Sequence, residues 1–521
     1  MRRPRRAAQH ALVRPRALLF LRASAERVTP CSGRSTRDAA DAAERAGASL
    51  LLFDAPSTHL WTALRPRLRG GGLLACAPEA TGAHAGAPEG CVDMEALLEQ
   101  ALAACPPLAL SFAPDGLCTL VFTSGSTGPP KAVALRHGSF LAASEAKLRA
   151  VGYRPDDVYL HTAPLCHVGG LSSAHAVLCC GGCHVFPASG AFAASEALIR
   201  VQTYCATALI AVPTILTDLL AAAQAASAHT LPSVRRVLLG GGALDQPLVV
   251  AAARLFPCAT ITATYALSEA CSSLSFRTMA VNGALTDAAS DPSSSPSEGI
   301  CVGSPQPGVM LRVSPSGEIC ARGAQMMAGY WRDDQASAAA LQGSPPWLHT
   351  GDLGRLDASG ALWLLGRIAD VIKSGGENVH AAEVEAALAT HAHVCAAAVV
   401  ALPHPRWGQA VAALVTLAPG CAWHGPWAGE RGAGGKERGP EGFQSALLSP
   451  EALRGHVTSQ EGGLARFKAP RLVAAAGGGH LPLGATGKVD KLAVRVALAA
   501  CLAQHGWPEM AHSMPTIRSR L

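Results

Sequence analysis

From about Ser35 to Phe186 the chain alternates Ala- and Leu-rich stretches of helical period with short apolar runs, among them SLLLF (49–53), TLVFT (119–123) and HVF (184–186). Continuous apolar runs of this length, bounded by turn residues, predict strands buried on both faces. Their alternation with helical stretches predicts a parallel α/β sheet. The same alternation continues through ALIAV (208–212), VRRVLLGGG (234–242) and ATITATY (259–265), each read as followed by a turn and a helical stretch. Beyond Gly366 the pattern becomes helix, strand, strand and helix, ending near Ala500, which predicts a separate small α+β domain. The expected fold class is α/β, a large N-terminal domain with mixed or parallel sheets plus the small C-terminal one.

Two low-complexity segments, 290–299 and 424–442, are rich in Gly, Pro, Ser or charge and read as exposed loops. The expected boundaries are a targeting segment over 1–34, a large domain over 35–367, a small domain over 368–500 with an insert at 421–443, and a tail over 501–521. The start carries seven Arg and no acid before Glu26, a composition like that of an organellar transit segment or of a misplaced translation start.

At 521 residues, with 49% hydrophobic and 15% charged positions, the chain can build large cores, which excludes a disordered or fibrous protein. A net charge of +6, part of it in the Arg-rich start, gives no nucleic-acid footprint over the body. The 17 Cys are scattered through apolar stretches and read as reduced core thiols. The one CxxC, Cys180 to Cys183, reads as a tight turn before a strand rather than as a redox or zinc pair. No apolar run reaches the roughly 18 residues of a spanning helix, so no membrane span is expected.

The strongest chemical signal is TSGSTGPPK, which follows the apolar run TLVF and is read as preceding a helical stretch. Gly125 and Gly128 permit tight turns that aim N–H groups inward, while Thr123, Ser124, Ser126, Thr127 and Lys131 add hydroxyl and ammonium donors. Such a loop suits a triphosphate. It is not the Walker pattern, because its Lys follows Pro-Pro and no Ser or Thr comes after.

This loop, with the motifs that follow it in order, resembles the adenylate-forming superfamily of acyl-CoA synthetases, luciferases and peptide-synthetase adenylation domains. The resemblance spans about residues 117–491. It implies ATP as substrate, with Mg2+, and a small domain that moves between half-reactions. By position in YALSE (265–269), Tyr265 would stack on adenine, Ser268 would lie near the phosphates and Glu269 would bind magnesium. Asp352 in WLHTGDLGRLD and Arg367 in LLGRIAD match the ribose contacts. Gly241 and Gly242, in LLGGGAL, match a turn lining the adenine and acyl sites, and Lys488 in LPLGATGKVDK matches the catalytic lysine. The SGGEN face (374–378), with Gly376, would enter in the second, thioester-forming half.

Within the superfamily, LCHVGGLSSAHAVLCCGG (165–182) and YALSEACSSLSF (265–276) resemble the plant and algal type of 2-succinylbenzoate–CoA ligases of phylloquinone and menaquinone biosynthesis. That implies CoA as co-substrate, His167 beside the thioesterification channel, and Gly170, Ala270, Cys271 and Ser272 at the acyl pocket. The pocket residues Gly169, Gly170, Ser172, Ser173, Cys271 and Ser272 are small or polar, which favours a polar diacid over a fatty chain. Bulkier residues at 270–273 would instead have pointed to a ligase for 4-coumarate or a medium-chain acid. Two departures point toward a non-catalytic adenylate-binding relative: Ala369 stands where many members carry Asp, and the front of the large domain reads as abbreviated. Retention of Glu269, Asp352 and Lys488 opposes that alternative. The end, Ser519-Arg520-Leu521, resembles a peroxisomal address, which implies an import receptor as partner and a peroxisome as first compartment, with the chloroplast second.

Overall fold

The computed structural model describes residues 113–123, 131–165, 167–187, 192–228, 230–242, 244, 246–286, 299–428, 447–459, 462–483, 489–505 and 507, with short strands Arg27–Val28, Leu51–Asp54, Leu74–Ala77 and Cys91–Asp93. The expected loop residues Ser124, Gly125, Ser126, Thr127 and Gly128, the expected Lys488, segment 290–298 and residues 508–521 of the expected tail lie outside the described residues, whereas residues 501–505 of that tail belong to a helix instead. The chain divides into two compact units. Unit 1 is residues 1–289, 305–310 and 321–349; unit 2 is 290–304, 311–320 and 350–521.

Among the described residues unit 1 contains three sheets, the smallest being the parallel strands Leu51–Asp54, Leu74–Ala77 and Cys91–Asp93. The first is a hairpin of β1 (Leu117–Thr123) and β2 (Lys131–Arg136), antiparallel with Thr123 opposite Lys131. Strand Gly329–Tyr330 adds to β2, and Arg27–Val28 pairs in parallel with β1, inside the stretch 1–34 that the sequence sets apart. The helical stretch expected directly after the phosphate loop is therefore corrected. Lys131 opens a strand, because Ala132, Val133, Ala134 and Leu135 are buried as a continuous run, and helix α1 (His137–Ala150) begins only afterwards.

The second sheet has β3 (Val158–Leu160), β4 (Cys183–Val185), β5 (Ala208–Ala211), β6 (Arg236–Gly240), β7 (Thr260–Leu267) and β8 (Ser272–Val281). Its order is β4-β3-β5-β6-β7-β8, parallel through β7. Helices α2 (Val168–Cys180), α3 (Ala194–Tyr204), α4 (Pro213–Ala225) and α5 (Gln246–Leu255) supply its crossovers. Along β6, Val237 and Leu239 join one apolar cluster and Leu238 joins another, so both faces are buried, as a parallel sheet requires. The strand β7 departs from expectation: a single 3-10 turn, Ser268–Ala270, follows it and the chain returns antiparallel as β8 instead of entering a helix. The CxxC turn is as read, since α2 ends at Cys180, Gly181 takes a left-handed φ of 84° and donates to Leu178 O, and Cys183 opens β4.

Unit 2 carries the antiparallel pair β9 (Trp347–Leu356) and β10 (Leu362–Arg367), of which residues 350–356 belong to this unit. Next come β11 (Val371–Ser374), β12 (Glu377–His380), α6 (Ala381–Ala389), β13 (Val394–His404), β14 (Gly408–Leu417), α7 (Pro450–Val457), β15 (Leu472–Ala476) and α8 (Lys491–His505). Alternate residues of the central strands face opposite ways. Val411, Ala413 and Val415 pack with Val384 and Leu388 of α6 and Leu453 of α7, whereas Ala410, Ala412 and Leu414 pack with Val494 and Leu498 of α8. The expected insert is not wholly loop, because Trp427–Ala428 runs parallel to β15. Among the described residues no helix is long and apolar enough to cross a membrane.

Candidate active site

The β1–β2 hairpin fixes both ends of the expected phosphate loop, and the Thr123 hydroxyl donates to Lys131 O at 3.4 Å. Lys131 Nζ lies over the ring of Tyr330, 4.9 Å from its centre, and Tyr330 Oη donates to Glu269 Oε1 at 2.9 Å. Burial, and then the Glu269 carboxylate, push the Tyr330 hydroxyl well above its ordinary range, so it remains a donor. The backbone secures this arrangement: Met327 N donates to Glu269 O, and Ala328 N donates to Ala134 O on β2. Two expected residues, Lys131 and Glu269, are thereby joined through a tyrosine that the sequence reading passed over, and Thr123 is tied to the backbone of Lys131. Its signal was available in GYW (329–331), an aromatic pair after a glycine.

Glu269 sits in the turn leaving β7. The next residues adopt an unusual backbone, with Cys271 at φ 50° and Ser272 at φ 103°, both buried. Left-handed conformations at non-glycine residues persist where surrounding contacts enforce them. Here Gln325 is buried and its Nε2 donates to Ala270 O at 2.9 Å and Ser273 O at 2.7 Å, while Gln306 Nε2 donates to Gln325 Oε1. Neither glutamine was foreseen, since an amide that satisfies backbone carbonyls leaves no motif. Tyr265, on β7, is buried, and Ser268 is half-buried at the start of the turn. Gly240 closes β6 where a Cβ would come within 2.8 Å of Thr264 Cγ2; Gly241 follows at φ 83°, and a Cβ on Gly242 would meet Pro213 Cγ at 3.1 Å.

His167 is the half-buried residue before α2, and its carbonyl accepts from Leu171 N. At Gly170 an added Cβ would lie 2.4 Å from Pro164 O and 2.8 Å from Ala163 O. The backbone at this position thus has a packing reason of its own to be glycine, whatever else it lines.

Facing Ser172 and Ser173 of α2 is Lys147 of α1, fully buried, its Nζ donating to Ser172 Oγ at 2.5 Å and Ser173 Oγ at 2.9 Å. The sequence motifs do not single it out, and it stands between the charged residues Glu145 and Arg149. The periodic signal was nonetheless present, because Phe140, Ala143, Ser144 and Lys147 share one helix face and all are buried.

In unit 2, Asp352 and Arg367 are cross-strand partners on β9 and β10, and Arg367 Nε reaches Asp352 Oδ1 at 3.3 Å. The carboxylate is buried and the guanidinium exposed, and Thr350 Oγ1 accepts from Asp352 N at 3.1 Å. The two expected ribose contacts are adjacent because a hairpin returns the chain. Gly375 and Gly376, at φ 61° and 90°, form the two-residue turn from β11 to β12, which needs positive φ at both positions. Beside Ala369, Asp370 is engaged by Lys491 Nζ at 3.1 Å, which also reaches Glu385 at 3.0 Å. Burial by itself would lower the Lys491 amine, but Glu385 and Asp370 outweigh it and hold the amine above its ordinary range.

Two known families match the chain: AMP-binding enzyme over residues 21–331 and AMP-binding enzyme C-terminal domain over 383–488. The chain belongs to the AMP-binding enzyme family. Among curated members, a 2-succinylbenzoate–CoA ligase of Arabidopsis thaliana, named chloroplastic/peroxisomal, is 37% identical over 403 residues, covering 75% of this chain and 69% of that protein. A 2-succinylbenzoate–CoA ligase of Bacillus cereus (strain Q1) is 34% identical over 307 residues, 58% of this chain and 61% of the relative, so less than two thirds of that protein is spanned. Among solved structures, the amide bond synthetase McbA of Marinactinospora thermotolerans superposes with a TM-score of 0.69 at 25% identity, over 90% of this chain and 84% of that one. The o-succinylbenzoate CoA synthetase of Bacillus subtilis, solved with its acyl-adenylate intermediate, gives 0.65 at 24% identity over 89% and 81%, a likeness of fold. The family is ATP-utilising and adenylate-forming, and the α/β architecture with a large and a smaller domain is that of its members.

Proposed function

We propose that this protein is an AMP-forming acid–CoA ligase that adenylates 2-succinylbenzoate and passes the acyl group to CoA, within phylloquinone or menaquinone biosynthesis. The observation that carries the choice of acid is the 37% identity over 403 residues with the plant enzyme of that name. The Lys131–Tyr330–Glu269 cluster supports the ATP chemistry independently, since it sets an ammonium and a carboxylate at the end of the phosphate-loop hairpin.

In the first half-reaction a substrate carboxylate oxygen attacks the α-phosphorus and pyrophosphate leaves with the bonding electron pair. Thr123, Ser124, Gly125, Ser126, Thr127, Gly128 and Lys131 hold the phosphates, with Ser268 nearby. Tyr265, Gly241 and Gly242 receive adenine, and Asp352 and Arg367 receive ribose. Lys488 stabilises the charge that develops between carboxylate and phosphate. Glu269 fits a magnesium ion, being a half-exposed carboxylate with a hydroxyl donor on Oε1; when bound, the ion neutralises phosphate oxygens. In the second half the CoA thiolate attacks the acyl carbonyl and AMP departs. His167 and the Gly376 turn serve that step, and Gly170, Ala270, Cys271 and Ser272 line the acyl pocket. The proposed domains are a large AMP-binding one over 35–367 and a small mobile one over 368–500, which brings in Lys488 for the first half and the Gly376 turn for the second. A peroxisomal or chloroplast location is supported by the plant relative's name.

The test is incubation with ATP, Mg2+, CoA and a panel holding 2-succinylbenzoate, 4-coumarate and octanoate, reading pyrophosphate release and thioester mass. Thioester from 2-succinylbenzoate alone, abolished in Lys488→Ala, is expected. Equal or better turnover of another acid overturns the choice of substrate, and no pyrophosphate from any acid overturns the ligase reading.

A further inference from the structure

Lys147 is a buried amine with no counter-charge among the described residues. An ammonium offers three donors, and two of them end on uncharged serine hydroxyls, Ser172 Oγ and Ser173 Oγ. Among the described residues no carboxylate pairs with it. The acid two positions earlier on its own helix, Glu145, is exposed and takes Arg149 at 2.5 Å. The titratable neighbour across the interior is the Cys271 thiol, which burial pushes up to about 12 and so keeps neutral. A long basic side chain kept for packing alone normally carries its head to water or meets an acid; this one does neither.

Its surroundings are those assigned above to the acyl group, so the inference rests on that reading. Ser172 and Ser173 lie one turn or less beyond Gly170 on α2, and Cys271 is two residues past Glu269. Ser273, in the same segment as Cys271, is buried with its hydroxyl lacking a partner among the described residues. Burial lowers the Lys147 amine to about 7, so neutral and charged forms are both accessible near neutral pH, and an approaching anion selects the charged one.

We propose that Lys147, positioned by Ser172 and Ser173, recognises the second carboxylate of a dicarboxylic aromatic substrate, the one that is not adenylated. The diacid then completes an ion pair whose other half the protein already holds, and a monoacid of the same skeleton leaves that half unmatched.

The experiment compares kcat/KM for 2-succinylbenzoate and for 4-oxo-4-phenylbutanoate, which lacks the ring carboxylate, in the wild type, Lys147→Met and Ser172→Ala. Losing one partner of a buried, hydrogen-bonded charge pair predicts a wild-type preference for the diacid of about 100-fold. In Lys147→Met the ratio of the two kcat/KM values falls toward one, and in Ser172→Ala it falls by roughly 5-fold. A Lys147→Met enzyme that keeps the wild-type ratio, or that loses both acids in equal proportion, overturns the inference while leaving the ligase reading intact. If Lys147→Met does not fold, an unchanged ratio in Ser172→Ala overturns it instead. A wild type that turns over neither acid sinks the substrate reading itself, and this inference with it.

Discussion

Unit 1 buries two opposite charges completely and surrounds them differently. Asp157, at the entry to β3, accepts from Arg154 N at 2.8 Å, Thr207 Oγ1 at 2.7 Å, Arg236 Nη1 at 2.7 Å and Arg235 Nη2 at 3.3 Å. Lys147, between α1 and α2, donates to two serine hydroxyls and meets no carboxylate among the described residues. Taking either charge out of water costs several kcal/mol, and only for Asp157 does the fold supply the opposite charge that offsets it. Asp157 ties β3, Thr207 and the start of β6 together, which is a structural task finished when the chain folds. Lys147 has no such finished task. A buried charge with its counter-ion belongs to the scaffold, and one without is where a ligand's charge is expected.

The largest effect that would break this comparison is at Asp157. Asp157→Ala leaves the buried Arg236 guanidinium without its carboxylate and is expected to destabilise unit 1 by about 3–5 kcal/mol, read by urea unfolding. A loss below about 1 kcal/mol would mean the cluster is not the anchor its geometry describes.

The second effect has the opposite sign. Lys147→Met removes an unpaired charge and is expected to stabilise the ligand-free protein by about 1–4 kcal/mol below about pH 7. The folded amine titrates near 7 and the unfolded one at its ordinary 10.5, so between these values the unfolded chain binds more protons. Wild-type stability therefore rises as pH climbs from about 7 to about 10.5, and the advantage of the methionine variant narrows over that window. Thermal unfolding at pH 6, 8 and 10 checks both the sign and the trend; a variant less stable than wild type at pH 6 contradicts it.

The same contrast shows what could be read from sequence. The parallel strands were legible because ALIAV and RVLLG are buried on both faces, and a strand of that kind writes its burial as an unbroken apolar run. The antiparallel strands β2 and β8 were not, because KAVALR and SSLSFRTMAV resemble helix or turn sequence until the partner strand is known. The site divides in the same way. Glu269, Asp352 and Arg367 sit in ordered motifs, and the resemblance singled them out as candidates. Tyr330, Gln325 and Lys147 act through contacts with segments 61, 55 and 25 residues away, and no local pattern records such contacts. Gly170 was read as pocket lining, whereas the carbonyls of Ala163 and Pro164 supply a packing reason for it.

The most direct test of the central claim is calorimetric titration of 2-succinylbenzoate at pH 8, with a non-hydrolysable ATP analogue present, in two buffers of different protonation enthalpy. The groups around Lys147 cannot confuse the proton count: Ser172 and Ser173 do not titrate there, Cys271 is pushed up to about 12, and burial raises the Tyr153 and Tyr159 hydroxyls next to Ser173 well above their ordinary range. At that pH the free amine is mostly neutral, and an ion pair with the diacid requires it charged. Uptake of roughly one proton per diacid bound, absent in Lys147→Met, is the predicted result. Binding with no proton uptake in the wild type, or with the same uptake in both proteins, would contradict it.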